Sequence, residues 1–189
     1  MLPAVTTHHT AVELQAGLDH VRAAPADGGT LELIVRRPGF GEREVLEEGE
    51  LSLTEGLVGD TWKDRPSRHS DDGGPHPGMQ LNVMSARAAL LAAGGDADRR
   101  ALAGDQLYLD LDLSHANLPA GTQLRIGDAV IEVTEQPHNG CAKFAKRFGQ
   151  DAVRFFNSPD GKALRLRGLN AKVVVPGTIR QGDEVTKLP

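Results

Sequence analysis

The chain has 189 residues, of which 39% are hydrophobic and 25% are charged, so it is long enough to bury one substantial core and short for two full domains. A net charge of −5 argues against a nucleic-acid-binding protein, which normally carries a basic surface. The apolar runs are too short to span a membrane, and the first residues lack the basic and apolar regions of a secretory signal, so we expect a cytoplasmic protein. The single cysteine excludes an internal disulfide.

The first predicted element is a helix at residues 10–24, "TAVELQAGLDHVRAA". Thr10 and Glu13 have the spacing of a capping box, in which each side chain satisfies an exposed backbone donor. Apolar residues then recur at helical spacing, which predicts one buried stripe. The segment "PADGG" ends this helix, and we therefore divide the chain into a helical extension, residues 1–28, and a β domain, residues 29–189.

From Thr30 onward the sequence consists of short β-like runs separated by glycine and charge, such as "TLELIVRRP", "MQLNVMS" and "AKVVVPG". Their spacing predicts a mainly β fold, either a barrel or a sandwich. The clearest strand is "LYLDLDL" at 107–113, where leucines alternate with Tyr108, Asp110 and Asp112. Because neighbouring side chains of a strand point to opposite faces, we expect a buried leucine face and a solvated polar face.

Two segments share one pattern of Gly-Thr, a short strand, Gly-Asp and a second strand. They are "GTQLRIGDAV" at 121–130 and "GTIRQGDEV" at 177–185. Gly-Asp is suited to a tight turn, because glycine adopts positive φ and aspartate tolerates it. The pattern predicts two similar hairpins.

Helices are few among these strands. Ser85 is placed to cap "ARAALLAAGG", "CAKFAKRFG" at 141–149 predicts a second helix, and "DAVRFF" predicts a short third one before an "SPDG" turn. The long segment at 60–78, "DTWKDRPSRHSDDGGPHPG", is either disordered or a functional loop. Its basic and aromatic side chains could wrap an anionic ligand.

Cys141 has more than one interpretation. A free cysteine is often a small buried hydrophobe. If Asn139 or Gly140 caps the helix, Cys141 lies in the first turn, where unpaired N–H groups and the helix dipole favour a thiolate. A third interpretation pairs the cysteine with His138 as a hydrolytic nucleophile and base.

Four segments, "EGLVGD", "MQLNVMSARA", "ALAGDQL" and "LPAGTQLRIGDAVIEVTEQPHNGCAKFAKRFG", occur in an order that resembles the MOSC family. This domain is found at the C-terminus of molybdenum cofactor sulfurases and as stand-alone bacterial proteins, and the resemblance runs from about Gly29 to Val185. It implies a MOSC-like β-barrel with a few short helices and a single functional cysteine. The matching position is Cys141, implied to be a thiolate ligand of molybdenum or a carrier of sulfur.

The resemblance implies the molybdenum cofactor, molybdopterin, and three candidate functions. The protein would reduce N-oxygenated small-molecule substrates with an electron-transfer partner, carry persulfide sulfur received from a cysteine desulfurase, or bind the cofactor without catalysis. Basic side chains would hold the pterin phosphate, and carboxylates would bond the pterin nitrogens. The expected cofactor-binding residues are Gly59, Asp60, Arg65, Arg68, Asp105, Asn139, Lys143 and Arg147.

The chain also departs from the family pattern. Family members often carry Gly-Asp-Arg-His where this chain has Gly59, Asp60, Thr61 and Trp62. The usual Pro-Cys pair is replaced by "PHNGC", which moves the cysteine relative to the proline.

Overall fold

A closed β-barrel of seven strands forms the centre of the protein in the computed structural model, which describes residues 8–67 and 70–189. The strands of the described residues are β1 (Gly29–Arg36), β2 (Glu44–Leu46), β3 (Glu48–Ser52), β4 (Gly56–Leu57), β5 (Leu81–Ser85), β6 (Leu107–Asp110), β7 (Gln123–Ile126), β8 (Ala129–Val133), β9 (Leu169–Val175), β10 (Gly177–Arg180) and β11 (Glu184–Lys187). The order around the barrel is β11, β7, β8, β9, β5, β6 and β1, and β11 pairs with β1 to close it.

The barrel is mixed, because β5 and β6 run parallel while its other neighbouring strands run antiparallel. β2 pairs with the far end of β1, and β10, β3 and β4 form a separate three-stranded sheet. The predicted barrel is confirmed, and the sandwich alternative is not observed.

A buried apolar cluster fills the barrel and receives side chains from all seven of its strands. Leu107, Leu109, Leu111 and Leu113 all belong to this cluster, which confirms the predicted leucine face. The predicted solvated face of the same strand is wrong at Tyr108, whose side chain is fully buried in a second cluster. The reason is that helices cover the outer side of this part of the barrel.

The helices are α1 (Ala11–Ala16), α2 (Leu18–Arg22), α3 (Ala86–Ala92), α4 (Ala142–Phe148), α5 (Gln150–Phe156) and α6 (Pro159–Ala163). Short 3-10 turns span Thr61–Asp64, Pro77–Met79 and Ala97–Ala103. The capping box of Thr10 and Glu13 is present, and the Ser85 side chain accepts from Ala88 N, as predicted. Two details differ: the first helix divides at Gly17, and the "SPDG" turn is the start of α6, with Ser158 as its cap.

The second buried cluster joins the helices to the outside of the barrel. Its centre is a set of three phenylalanines, with the ring of Phe144 lying 4.9 Å from that of Phe148 and 5.3 Å from that of Phe156. α1 and α2 contribute Leu14 and Leu18 to the same cluster. The start of α4 is thereby fixed against the rest of the fold. Among the described residues, no helix is long and apolar enough to cross a membrane.

Of the two predicted hairpins, the structure contains one. β7 and β8 pair directly around Gly127, which has φ of 54°. The second segment is not a hairpin, because β10 pairs with β3 whereas β11 pairs with β7 and β1. The second Gly-Asp turn therefore carries the chain from the small sheet into the barrel.

Candidate functional site: a cationic cleft beside Cys141

A cleft of about 940 Å³ lies between the loop that follows β1, the turn at Thr61–Asp64 and the start of α4. Seven basic side chains line it, namely Arg37, Arg43, Arg65, Lys143, Lys146, Arg147 and Arg167. Among the described residues, Asp64 is the one acidic residue in this lining. The cleft is positive although the whole chain has a net charge of −5, and a concave surface of one sign of charge attracts counter-ions.

The guanidinium groups of Arg43 and Arg147 converge on the backbone of Gly104. A Cβ added to that glycine would lie 2.8 Å from Nη2 of Arg43 and 3.3 Å from Nη1 of Arg147. Burial and the charge of Arg147 lower the pKa of Arg43, and burial and the charge of Arg37 lower the pKa of Arg65. Nε of Arg43 is buried without a hydrogen-bond partner in the described part of the chain. A bound anion would relieve this crowding of like charges.

Cys141 is exposed and lines the same cleft. It is the N-cap of α4 rather than a residue of the first turn, and its side chain makes no capping hydrogen bond. The preceding peptide is held from both sides: Gly140 N donates to Asn157 Oδ1 at 2.9 Å, and Asn157 Nδ2 donates to Gly140 O at 3.0 Å. The buried-hydrophobe interpretation is therefore wrong, and the thiol is presented from a fixed backbone position.

Arg37 and Asp60 form a buried ion pair below the cleft. Two guanidinium nitrogens of Arg37, Nε and Nη2, each lie 2.7 Å from a carboxylate oxygen of Asp60. Asp60 also accepts from the backbone of Arg37 and of Trp62. The remaining Arg37 nitrogen donates to Asn82 Oδ1 and to Gly104 O. The acceptor oxygens of Asp60 are thus occupied by the protein itself.

A second buried ion pair joins Arg167 to Asp105, which is fully buried, at 2.6 Å. Burial by itself raises the pKa of Asp105, but attraction by Arg167 and His138 outweighs it and holds the pKa at about 2. Burial and the charge of Arg167 lower the pKa of His138, although its Nε2 lies 3.1 Å from Asp105 Oδ1. The guanidinium of Arg167 also lies over the ring of Phe144, 5.0 Å from its centroid.

A chain of hydrogen bonds links the first ion pair to the loop that leads to the cysteine. Arginine can only donate, so Asn82 accepts from Arg37 through Oδ1 and donates through Nδ2. Asn82 Nδ2 lies 2.7 Å from Asn170 Oδ1 and 3.2 Å from His138 Nδ1. His138 therefore accepts at Nδ1 and carries its proton on Nε2. Asn170 in turn donates to the carbonyl oxygens of the loop at 136–137.

This arrangement opposes the hydrolase interpretation. The two ring nitrogens of His138 face Asn82 and Asp105, and within the described residues no hydrogen bond joins the ring to Cys141. His138 lines a different cavity from the one that Cys141 lines. A nucleophile and its base must lie within hydrogen-bond reach.

The structure divides the expected site residues into two groups. Those that line the cleft are Cys141, Arg65, Lys143 and Arg147. Those that do not are Gly59, Asp60, Asp105 and Asn139. Arg68 falls outside the residues that the structure describes. Asp60 and Asp105 lie behind the cleft, where each forms an ion pair with an arginine whose side chain lines the cleft.

Sequence reasoning missed several residues of the cleft. Arg37, Phe40 and Arg43 come from one loop, "RRPGFGER", whose mixture of basic residues, glycine and proline was a usable signal for an anion-binding loop. Phe40 is 93% exposed and lies under the ammonium group of Lys143 at 5.0 Å from its ring centroid. Arg167 carried no local signal, because its partner Asp105 is 62 residues away in sequence.

The fold and the site define a small β-barrel protein that presents one thiol in a cationic cleft. A model of the MOSC domain matches residues 60–186. The chain belongs to the MOSC family, whose members in general bind the molybdenum cofactor. In the described parts of the chain, no group of three or more His, Cys, Asp or Glu side chains is placed to hold a metal ion.

Solved structures show the same fold. The YuaD protein of Bacillus subtilis is similar over 84% of this chain and 94% of its own, with 14% sequence identity and a TM-score of 0.65. YiiM of Escherichia coli is similar over 85% of this chain and 70% of its own, with 19% identity and a TM-score of 0.55. The comparison with curated proteins gives no match.

Proposed function

We propose that this protein binds the molybdenum cofactor with Cys141 as a thiolate ligand of the metal, and that it reduces N-oxygenated small molecules. The observation that carries the proposal is the position of the chain's one thiol, exposed on the wall of a cleft lined by seven basic side chains. A cofactor that joins a soft metal centre to a phosphate needs both features, a thiolate and a cationic surface.

The residues of the cleft fit this group. Arg43 and Arg147, which converge on Gly104, and the half-buried Arg65 would hold the phosphate through charge-assisted hydrogen bonds. Lys143 lies two residues after Cys141 and adds positive charge beside the thiolate. A volume of about 940 Å³ leaves room for a substrate next to the cofactor.

Residues that do not line the cleft have positioning roles in this proposal. Asp60 orients Arg37, and Asp105 orients Arg167, so the two carboxylates act through arginines rather than on the pterin ring. Asn139 and Gly59 belong to the loops that lead to Cys141 and to the turn at Thr61–Asp64. The role of Arg68 in phosphate binding stays a proposal from the family resemblance.

The bound cofactor would supply two electrons for cleavage of an N–O bond, giving the reduced nitrogen compound and water when two protons are taken up. An electron-transfer partner would replace the two electrons. The protein's own contribution is to fix the thiolate at the start of α4, to neutralise the anionic charge of the cofactor, and to hold the surrounding arginines in place through buried ion pairs.

A second candidate function is supported by the exposure of the same thiol. As a sulfur carrier, Cys141 would accept a sulfur atom from the persulfide of a cysteine desulfurase, which would be released as a thiol, and would itself become a persulfide. An accessible thiol in a positive environment suits this exchange. This candidate predicts transferable sulfur without stable molybdenum.

The deciding experiment measures molybdenum and pterin in protein purified from a host that makes the cofactor. Wild type should contain both in near-stoichiometric amounts, and Cys141→Ser should lose most of the molybdenum. Arg147→Gln should lower the pterin content, whereas the matched control Arg154→Gln should not, because Arg154 lies on α5 with 77% of its side chain exposed and does not line the cleft.

Each other result selects a different function. Equal molybdenum in wild type and Cys141→Ser would indicate cofactor binding without thiolate ligation. Absence of molybdenum and pterin from folded wild type, together with a mass increase of one sulfur atom that needs Cys141, would favour the carrier. Absence of all three would remove both candidates.

A further inference from the structure

A second cavity, of about 150 Å³, lies beside the loop that leads to Cys141. It is lined by that loop, by His115, by Lys162 of α6, and by Arg165 and Arg167 of the segment between α6 and β9. Arg167 lines both this cavity and the large cleft. Its size suits an ion or a very small molecule rather than a cofactor.

Of the two arginines that line the cavity, Arg165 is the one without an ion pair among the described residues. Its guanidinium group donates to the backbone carbonyls of Leu113 and Leu118, and no described carboxylate lies within ion-pair distance of it. Burial lowers the pKa of Arg165, as expected for a cation without a counter-charge. A half-buried guanidinium that only carbonyls satisfy still carries its full charge.

The backbone at Arg165 is also unusual. Its φ of 48° makes it the one non-glycine residue with positive φ in the described parts of the chain. Such a conformation is unfavourable for a residue with a Cβ and persists only where the surrounding structure holds it. The hydrogen bonds of its guanidinium group to Leu113 O and Leu118 O are among the contacts that hold Arg165 in place.

Further basic groups face the same space. Lys162 is exposed on α6, and burial together with the charge of Arg165 lowers the pKa of His115. Arg167 and His138 also line the cavity, but both are already paired with Asp105, so Arg165 and Lys162 are the cations left for a ligand. Glu135 is the one acidic residue in the lining, and it is exposed.

We propose that this cavity binds a small tetrahedral oxyanion, sulfate or phosphate, held by the guanidinium group of Arg165 and the ammonium group of Lys162. Tetrahedral oxyanions accept several charge-assisted hydrogen bonds at once, which matches a cavity with more cations than acids. This cavity is distinct from the large cleft, although Arg167 lines both, and the proposal does not depend on the proposed function.

The test follows the ring signals of His115 by NMR in protein prepared in an oxyanion-free buffer. Sulfate, phosphate, acetate and chloride are titrated separately at constant ionic strength. We expect a saturable change with sulfate, phosphate or both, and only weak, non-saturating changes with acetate and chloride. The dissociation constants of sulfate and phosphate then show which of the two anions the site prefers.

Two variants make the test specific. Lys162→Gln removes an exposed charge and should weaken binding of the tetrahedral anion by about tenfold, the effect of losing one hydrogen bond to a charged group. The matched control Lys146→Gln removes the same charge from the large cleft and should leave the affinity unchanged. Arg165→Gln should abolish binding if it folds, but Lys162→Gln carries the test because its side chain is exposed.

Three results would overturn the proposal. The first is a response to sulfate and phosphate no larger than that to chloride. The second is an equal loss of affinity in Lys146→Gln and Lys162→Gln, which would indicate general screening of charge. The third is unchanged affinity in folded Lys162→Gln, whatever the outcome for Arg165→Gln.

Discussion

Substitution of one partner of the ion pair between Arg167 and Asp105 should be among the most destabilising changes in the protein. Asp105 is fully buried, the side chain of Arg167 is 8% exposed, and the shorter of their two contacts is 2.6 Å. Asp105→Asn leaves a buried guanidinium without a counter-charge, which costs about 3 to 5 kcal/mol of unfolding free energy. Arg167→Met leaves a buried carboxylate and should cost a similar amount.

A double-mutant cycle measures how much of this cost belongs to the pair. Because the double variant contains neither buried charge, it should be more stable than the sum of the two single effects implies, by about 1 to 3 kcal/mol. The assay is urea unfolding at neutral pH of the wild type and the three variants. The same cycle on Arg180 and Glu48, both more than half exposed, provides a control that should give about 0 to 1 kcal/mol.

The cycle can also refute the reasoning. Additive single effects at Arg167 and Asp105, or a loss below about 1 kcal/mol in Asp105→Asn, would mean that water reaches the pair and screens it. A larger coupling in the Arg180 and Glu48 cycle than in the buried one would lead to the same conclusion.

Three further predictions concern stability. The pKa of Asp105 is lowered to about 2 from 3.8, so its carboxylate contributes about 2 kcal/mol to the free energy of unfolding above pH 4 and loses this contribution as the pH falls towards 2. In acid unfolding experiments, Asp105→Asn should lack this pH-dependent loss of stability. Phe144→Ala should cost about 3 to 5 kcal/mol in urea unfolding, because it leaves a cavity in the second cluster, whereas Cys141→Ser on the same helix should change stability by less than about 1 kcal/mol; equal losses would contradict the structure. Gly168→Ala should strongly lower the melting temperature, since its Cβ would lie 2.2 Å from Val83 O and its φ is 104°; an unchanged value would show that the strand ends can shift.

Local signals in the sequence predicted local structure well. The capping box at Thr10 and Glu13 and the hairpin around Gly127 both depend on residues within a few positions of one another, and both are present. The second Gly-Asp turn has the same local chemistry, yet it joins two different sheets. Pairing partners that lie far away in sequence decide between these outcomes, and β11 pairs with β1 across almost the whole chain.

The candidate site was predictable only in part for the same reason. Cys141 could be found because it is the one cysteine and stands before a helix with two phenylalanines. Asp60 and Asp105 could be noticed as acidic residues, but their burial against Arg37 and Arg167 depends on contacts between distant segments. Nothing in a single sequence distinguishes a buried arginine from an exposed one.

The unused capping position at Cys141 has a consequence for how this protein balances stability against activity. The N-cap is the helix position at which serine, threonine, asparagine or aspartate contributes most, about 0.5 to 2 kcal/mol over an apolar residue. Cys141 occupies this position and its side chain makes no capping hydrogen bond, so α4 lacks that contribution to its stability. Serine would accept a capping hydrogen bond at this position but has no thiol, so one side chain cannot supply both the helix cap and the sulfur chemistry proposed for Cys141.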